Sequence, residues 1–196
     1  MMRQLKSAFL VFIALTLLTG VIYPLAVTGI ARLFFRDKAE GSLIYRNGTV
    51  VGSTLIGQRF TDPKYLWGRP SATSPDAYNA ASSSGSNLAT SNPDLKTMIE
   101  QRTAALRTAA DPDTTAPVPV DLITASASGL DPDISPAAAY YQAERIAKAR
   151  GLPRSAVEAV IARHTTKRLW GILGEPVVNV LEVNLELESY GTAESR

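Results

Sequence analysis

From Ala8 to Ala31 the chain reads AFLVFIALTLLTGVIYPLAVTGIA, 24 residues without a charge and with no regular polar return. As a helix rising about 1.5 Å per residue, such a run spans roughly 36 Å and crosses a bilayer. The apolar region of a signal peptide is shorter, about 7–15 residues, and gives way to small residues. Here the run ends in Arg32, Leu33, Phe34, Phe35 and Arg36, an anchor boundary. The pattern predicts a tail over residues 1–7, a membrane helix over 8–31 and one domain over 32–196. Within the span, Pro24 removes a ladder donor, while Gly20 and Gly29, with Thr16, Thr19 and Thr28, let a second helix approach and hydrogen-bond. Gly20, Pro24 and Gly29 are therefore the expected packing positions against a multispanning partner, the alternative being an anchor with one kink.

Beyond the span the periodicity changes. SLIYRNGTVVGS places two β-prone runs around Asn47-Gly48, the dipeptide of a type I′ hairpin. LIGQRF and YLWGRPSAT, with Phe60, Tyr65 and Trp67, read as an extended, packed loop, and AASSSGSNLATSN as a linker. Asn92 and Pro93 open a helix with Leu95, Met98, Ile99 and Leu106 on one face, ending near Ala110. A Pro-rich break, DPDTTAPVP, precedes a strand-like VDLITASASG. Ser135-Pro136 starts a helix that runs to Arg150 and stops at Gly151, and Pro153 starts another with Val157, Val160 and Ile161 as its apolar face. Last comes NVLEVNLELES, whose Leu181, Val183, Leu185 and Leu187 alternate with Glu182, Asn184, Glu186 and Glu188 as a half-buried strand does. The fold class expected is an α+β extramembrane domain, a hairpin and a C-terminal strand with about three helices, anchored by one N-terminal transmembrane helix.

Charge adds orientation. Of 20 Lys and Arg residues only Arg3 and Lys6 precede the apolar run, and all 18 acids lie at or beyond Asp37, so residues 32–196 carry no formal net charge. That argues against a nucleic-acid partner, which calls for a basic surface. The positive-inside bias favours an amino terminus in the cytoplasm and a domain on the other side. With no Cys and a single His, disulfides, thiolate chemistry and multi-His metal cages are excluded.

Candidate chemistry is sparse. His164 sits at a helix end, where a capping or surface role outweighs general-base work. Ser83, Ser84 and Ser86 around Gly85 lack the strand-turn-helix elbow of a serine nucleophile. Asp131 and Asp133 supply too few oxygens for calcium, and no phosphate-binding loop occurs. No catalytic or metal-ligating residue is assigned. The polar and aromatic segments read better as a contact surface, with Trp67 and Arg69 as interface anchors and Gly85, Ser86 and Asn87 as an adaptable hydrogen-bonding loop.

VGSTLIGQRF, YLWGRPSAT, YNAASSSGSNLATSNPDL, PVDLITASASGLDPDISPAAA and LGEPVVNVLEVNLEL, with LTGVIYPLAVTGIA in the span, resemble in this order the C subunit of the bacterial Kdp-type potassium-transporting ATPase, the KdpC family. The likeness covers nearly the whole chain. Leu66 stands where the family often has Phe, and Asp133 where it often has His or Asn. The resemblance implies a non-catalytic, single-pass inner-membrane accessory subunit with a cytoplasmic amino tail and a periplasmic or extracellular domain. It implies partners, namely a potassium-channel-like subunit and a separate ATP-hydrolysing subunit whose ATP affinity is raised, besides membrane lipid. It implies no stably bound cofactor, with ATP met only through the complex. Within YYQAERIAKAR it marks Gln142 as a nucleotide contact. Read from the residues alone, Gln142, Arg145 and Lys148 form a solvated helix face. A membrane-tethered module that binds an external ligand by itself is the alternative function.

Overall fold

A computed structural model describes residues 2–109 and 116–193 of the chain, which divides into two units, Met1–Val51 and Gly52–Arg196. In the first, the charge-free run is helical from Met2 to Phe34, long and apolar enough to cross a membrane by length and composition. It comprises α1 (Met2–Leu17), one π turn (Leu18–Ile22) and α2 (Tyr23–Phe34). Pro24 explains the π turn: it offers no N–H to the preceding turn, and the helix widens so that the Tyr23 N–H reaches Leu18 O, five residues back. Thr16 and Thr19 donate their hydroxyls to Phe12 O and Leu15 O of their own helix, at 2.8 and 2.7 Å, rather than to a neighbour. Space beside Gly20 and Gly29 is open. A short α3 (Arg36–Ala39) leads to β1 (Leu43–Arg46) and β2 (Thr49–Ser53), joined through left-handed Asn47 (φ 53°) and Gly48 (φ 78°), the hairpin geometry that the dipeptide predicts.

The second unit is α+β, as expected. Its helices are α4 (Pro93–Ala109), α5 (Val120–Ile123), α6 (Pro136–Tyr141), α7 (Ala143–Arg150), α8 (Arg154–Arg163) and α9 (Val180–Ala193). A three-stranded sheet of β3 (Asp133–Ile134), β4 (Thr165–Thr166) and β5 (Val177–Asn179) has β5 in the centre, antiparallel to both neighbours. The core joins Ile134 and Val178 of the sheet to Ile146 of α7, Val157, Val160 and Ile161 of α8, and Val183 and Leu187 of α9. The helix starts at Asn92 and Ser135 are as predicted: Asn92 Oδ1 accepts from the Asp94 N–H at 2.8 Å and Ser135 Oγ from the Ala138 N–H at 3.1 Å. Gly151 ends α7 in the left-handed conformation. The predicted end of α4 at Ala110 and most of the break at 111–119 lie outside the described residues.

Four expectations are corrected. The C-terminal strand is a helix, α9. Its sequence carries two periods at once, and burial of Val180, Val183, Asn184 and Leu187 selects the helical one. Asn179 Oδ1 caps it by accepting from the Glu182 N–H at 3.1 Å, so NVLE is a capping signal. The strand-like VDLITASASG opens as a single helical turn, α5, behind Pro119. The helix from Ser135 to Arg150 breaks at Gln142, whose N–H turns back three residues to Ala139 O. The Ser/Asn-rich linker is docked over 83–85: the Ser84 N–H and the Ser83 hydroxyl both donate to Ser128 O, at 3.0 and 2.9 Å.

Candidate functional site

Residues 62–65 form a turn, with the Tyr65 N–H on Asp62 O at 3.1 Å, and 66–71 continue without a partner strand, so the backbone groups there must find their partners elsewhere. Buried side-chain amides supply them. Asn184 of α9 accepts from the Leu66 N–H at 2.7 Å and donates to Leu66 O at 2.9 Å. Gln142, between α6 and α7, does the same for Trp67, at 2.9 and 3.0 Å. Each amide thus replaces one rung of a β ladder, and both residues are 2% exposed, which overturns the solvated-face reading of Gln142.

Two arginines complete the clamp. Arg145, also buried, donates to Pro63 O, to Tyr65 O at 3.0 Å and to Gln142 Oε1 at 2.7 Å, and its guanidinium lies 3.9 Å from the centre of the Trp67 ring. Burial pushes this guanidinium down to about 10, nearby Asp62 working in the opposite direction. It stays charged at neutral pH. Arg150 donates to Lys64 O and Leu187 O, and the Tyr65 hydroxyl donates to Glu188 at 2.6 Å. Of the helix face expected to be wet, Gln142 and Arg145 thus hold a loop from behind, while Lys148 is exposed as expected.

Further along, Arg69 pairs with Asp131 at 3.0 Å, and the Tyr78 hydroxyl donates to Arg69 O at 2.5 Å. Burial first, then the Asp131 charge, push the Tyr78 phenol up to about 12, which keeps it a donor. Arg59, Trp67, Arg69, Tyr78, Arg102 and Leu106 are among the residues lining a cavity of about 550 Å³. Gly85 packs against Ala127, where a Cβ would stand 2.9 Å from Ala127 O. Asn87 is exposed and left-handed (φ 51°), and Ser86 is half-buried.

The contact-surface residues chosen from sequence therefore fall in the second unit but in different roles, whereas Gly20, Pro24 and Gly29 belong to the first. Trp67 is a half-buried ring beneath Arg145, Arg69 is half-buried against Asp131, and Gly85–Asn87 belong to the loop docked along residues 126–129. The sequence pattern singles out neither Asn184 nor Arg150, and it places Arg145 only on a solvated helix face. The available signal for Asn184 was one amide at helical spacing among Val180, Val183 and Leu187.

His164 caps α8, with Nε2 2.6 Å from Glu186 and Nδ1 3.3 Å from Glu182. The two carboxylates face opposite ring nitrogens, so they hold the ring rather than converge on a point beside it. Glu186 also accepts from Arg163; that hydrogen bond is the main cause that holds its carboxyl below the ordinary glutamate range, with the His164 bond adding to it. Because folding lowers the proton affinity of Glu186, its contribution to stability is present above the unfolded glutamate value and lost as pH falls through the lower folded one. Glu186→Gln is expected to flatten the acid limb of the unfolding profile below about pH 4.5, as read by denaturant midpoints across pH.

A family model described as K+-transporting ATPase, c chain (KdpC) matches residues 5–189. A potassium-transporting ATPase KdpC subunit of Variovorax paradoxus (strain S110) is 58% identical over 193 residues, 98% of this chain and 100% of that one. Its counterpart in Ralstonia nicotianae is 59% identical over 183 residues, 93% of this chain and 89% of that one. The one in Dechloromonas aromatica is 56% identical over 189 residues, 96% and 98% of the two chains.

Proposed function

The chain belongs to the KdpC family of K+-transporting ATPase c chains, and from that premise we propose that it is a non-catalytic accessory subunit of an ATP-driven, high-affinity potassium-uptake pump. It assists assembly and raises the ATP affinity of the ATP-hydrolysing subunit. The observation that carries this reading is the apolar helix Met2–Phe34, with none of its most apolar window buried. Such a surface calls for lipid and a partner helix, and the openings at Gly20 and Gly29 beside the π turn before Pro24 suit the latter. In the proposed topology the amino tail is cytoplasmic, the helix crosses the inner membrane once, and the domain stands in the periplasm above a potassium-channel-like subunit.

ATP lies on the cytoplasmic side, so the effect on its use travels by contact between subunits. Gln142 fits this role. With its amide committed to Trp67 and Arg145, it acts through the position of the 62–71 segment rather than by touching nucleotide. Trp67, Arg69 and the Gly85–Asn87 loop then shape the partner-facing side of the domain.

The 550 Å³ cavity with Arg59, Arg69 and Arg102 in its lining favours a second reading, a tethered module that binds a small external anion by itself. Purification separates the two. Expressed with the other pump chains and extracted in mild detergent, a tagged copy is expected to co-elute with them in fixed ratio. Recovery of the chain alone, folded and monomeric, under those conditions would overturn the subunit reading.

A further inference from the structure

The chain has two Trp residues, and the one that sequence reasoning passed over is the exposed one. Between β4 and β5, Leu169, Trp170, Ile172 and Leu173 are 59, 82, 77 and 54% exposed. They form a small closed hairpin. The Leu169 N–H donates to Leu173 O at 2.8 Å and the Leu173 N–H to Leu169 O at 3.0 Å. Trp170 (φ 53°) and Gly171 (φ 76°) both sit in the left-handed region, which a bulky residue rarely occupies. At the neck Arg168 grips both oxygens of Glu175, at 2.8 and 2.6 Å. Four large apolar side chains are thus held out on a fixed knob. An isolated exposed Leu needs no explanation, but a contiguous apolar group around a Trp does.

Resting on the subunit reading above, we propose that the 168–175 hairpin is the element by which the domain docks on another chain of the ATPase, seating Trp170 and Ile172 in an apolar recess. Lys167 faces a carboxylate on the rim. Charge and shape favour a protein over a lipid surface. Adsorption to anionic lipid draws on clusters of roughly four to eight basic residues, whereas at this neck Arg168 is already paired and Lys167 alone has no ion pair among the described residues. A rigid knob suits a preformed pocket, since little side-chain and loop freedom is lost on docking. Insertion among fluid acyl chains gains nothing from that rigidity.

The test uses the assembled pump in lipid nanodiscs. With a photoreactive phenylalanine analogue in place of Trp170, irradiation is expected to yield one major adduct with a different pump chain. Trp170→Ala combined with Ile172→Ala is expected to raise the dissociation rate of this chain from the complex at least tenfold while its own melting temperature stays within a few degrees, since both side chains are exposed. An adduct only with lipid, an adduct with a second copy of this chain, or an unchanged dissociation rate overturns the proposal and leaves the subunit reading standing. Failure of the unmodified chain to join the complex overturns both.

Discussion

Gln142→Leu is expected to lower the unfolding free energy of the domain by about 3 kcal/mol, since each buried polar group left without a partner costs about 1–3 kcal/mol. The Trp67 N–H, Trp67 O and an Arg145 donor each lose one, and Ala138 O loses a longer contact of 3.2 Å. For a domain of this size that corresponds to a fall of about 6–12 °C in Tm. Gln142→Glu separates the contributions. A carboxylate still accepts from Trp67 and Arg145 but cannot donate to Trp67 O, so about half of the loss should remain. Thermal unfolding of the full chain in detergent, followed by circular dichroism, reads both variants. A loss below about 1 kcal/mol for the Leu variant would mean that the segment holds its path without the amide.

Gly129→Ala should cost a comparable amount, about 2–4 kcal/mol, for a different reason. Gly129 is left-handed (φ 68°), and a Cβ there would stand 2.6 Å from both Ser84 O and Thr73 Cγ2. Backbone must move, so the register between 83–85 and 126–129 is lost with the substitution. Hydrogen exchange at the Ser84 amide, which donates to Ser128 O, is expected to accelerate strongly. Gly151→Ala is the control: it has the same handedness (φ 67°) with open space around the added carbon, and should cost only about 1 kcal/mol. Equal losses in the two variants would show that handedness alone matters and that the loop contact contributes nothing.

What could be read from the sequence was whatever depends on neighbours along the chain. The apolar helix, the Asn47-Gly48 hairpin, the caps at Asn92 and Ser135 and the buried face of α8 each rest on a pattern that closes within a few residues. The errors share the opposite origin. Asn184 looked wet because its partner, Leu66, is remote in sequence, and with Asn184 on the polar side the α9 sequence alternates like a strand. Gln142 and Arg145 looked solvated because the carbonyls they bind belong to a loop with no periodicity of its own. Trp67 stands out in the sequence because it lies beside Gly68, Arg69 and Pro70 in an aromatic loop, whereas the exposure of Trp170 is a property of the folded chain. The pairing of Asn179 with Glu182 was the one local sign that could have redirected the C-terminal reading.

The clamp also orders events during synthesis. Leu66 meets Asn184 across a separation of 118 residues, and a pairing of that span forms late because the whole intervening chain must first be gathered. Until the last helix leaves the ribosome, the Leu66 rung is missing and the segment rests on Gln142 and Arg145. A message truncated before α9 therefore yields a product that lacks Val183 and Leu187 of the core together with the Leu66 rung, and its stretch around Leu66 is what quality-control proteases meet unprotected.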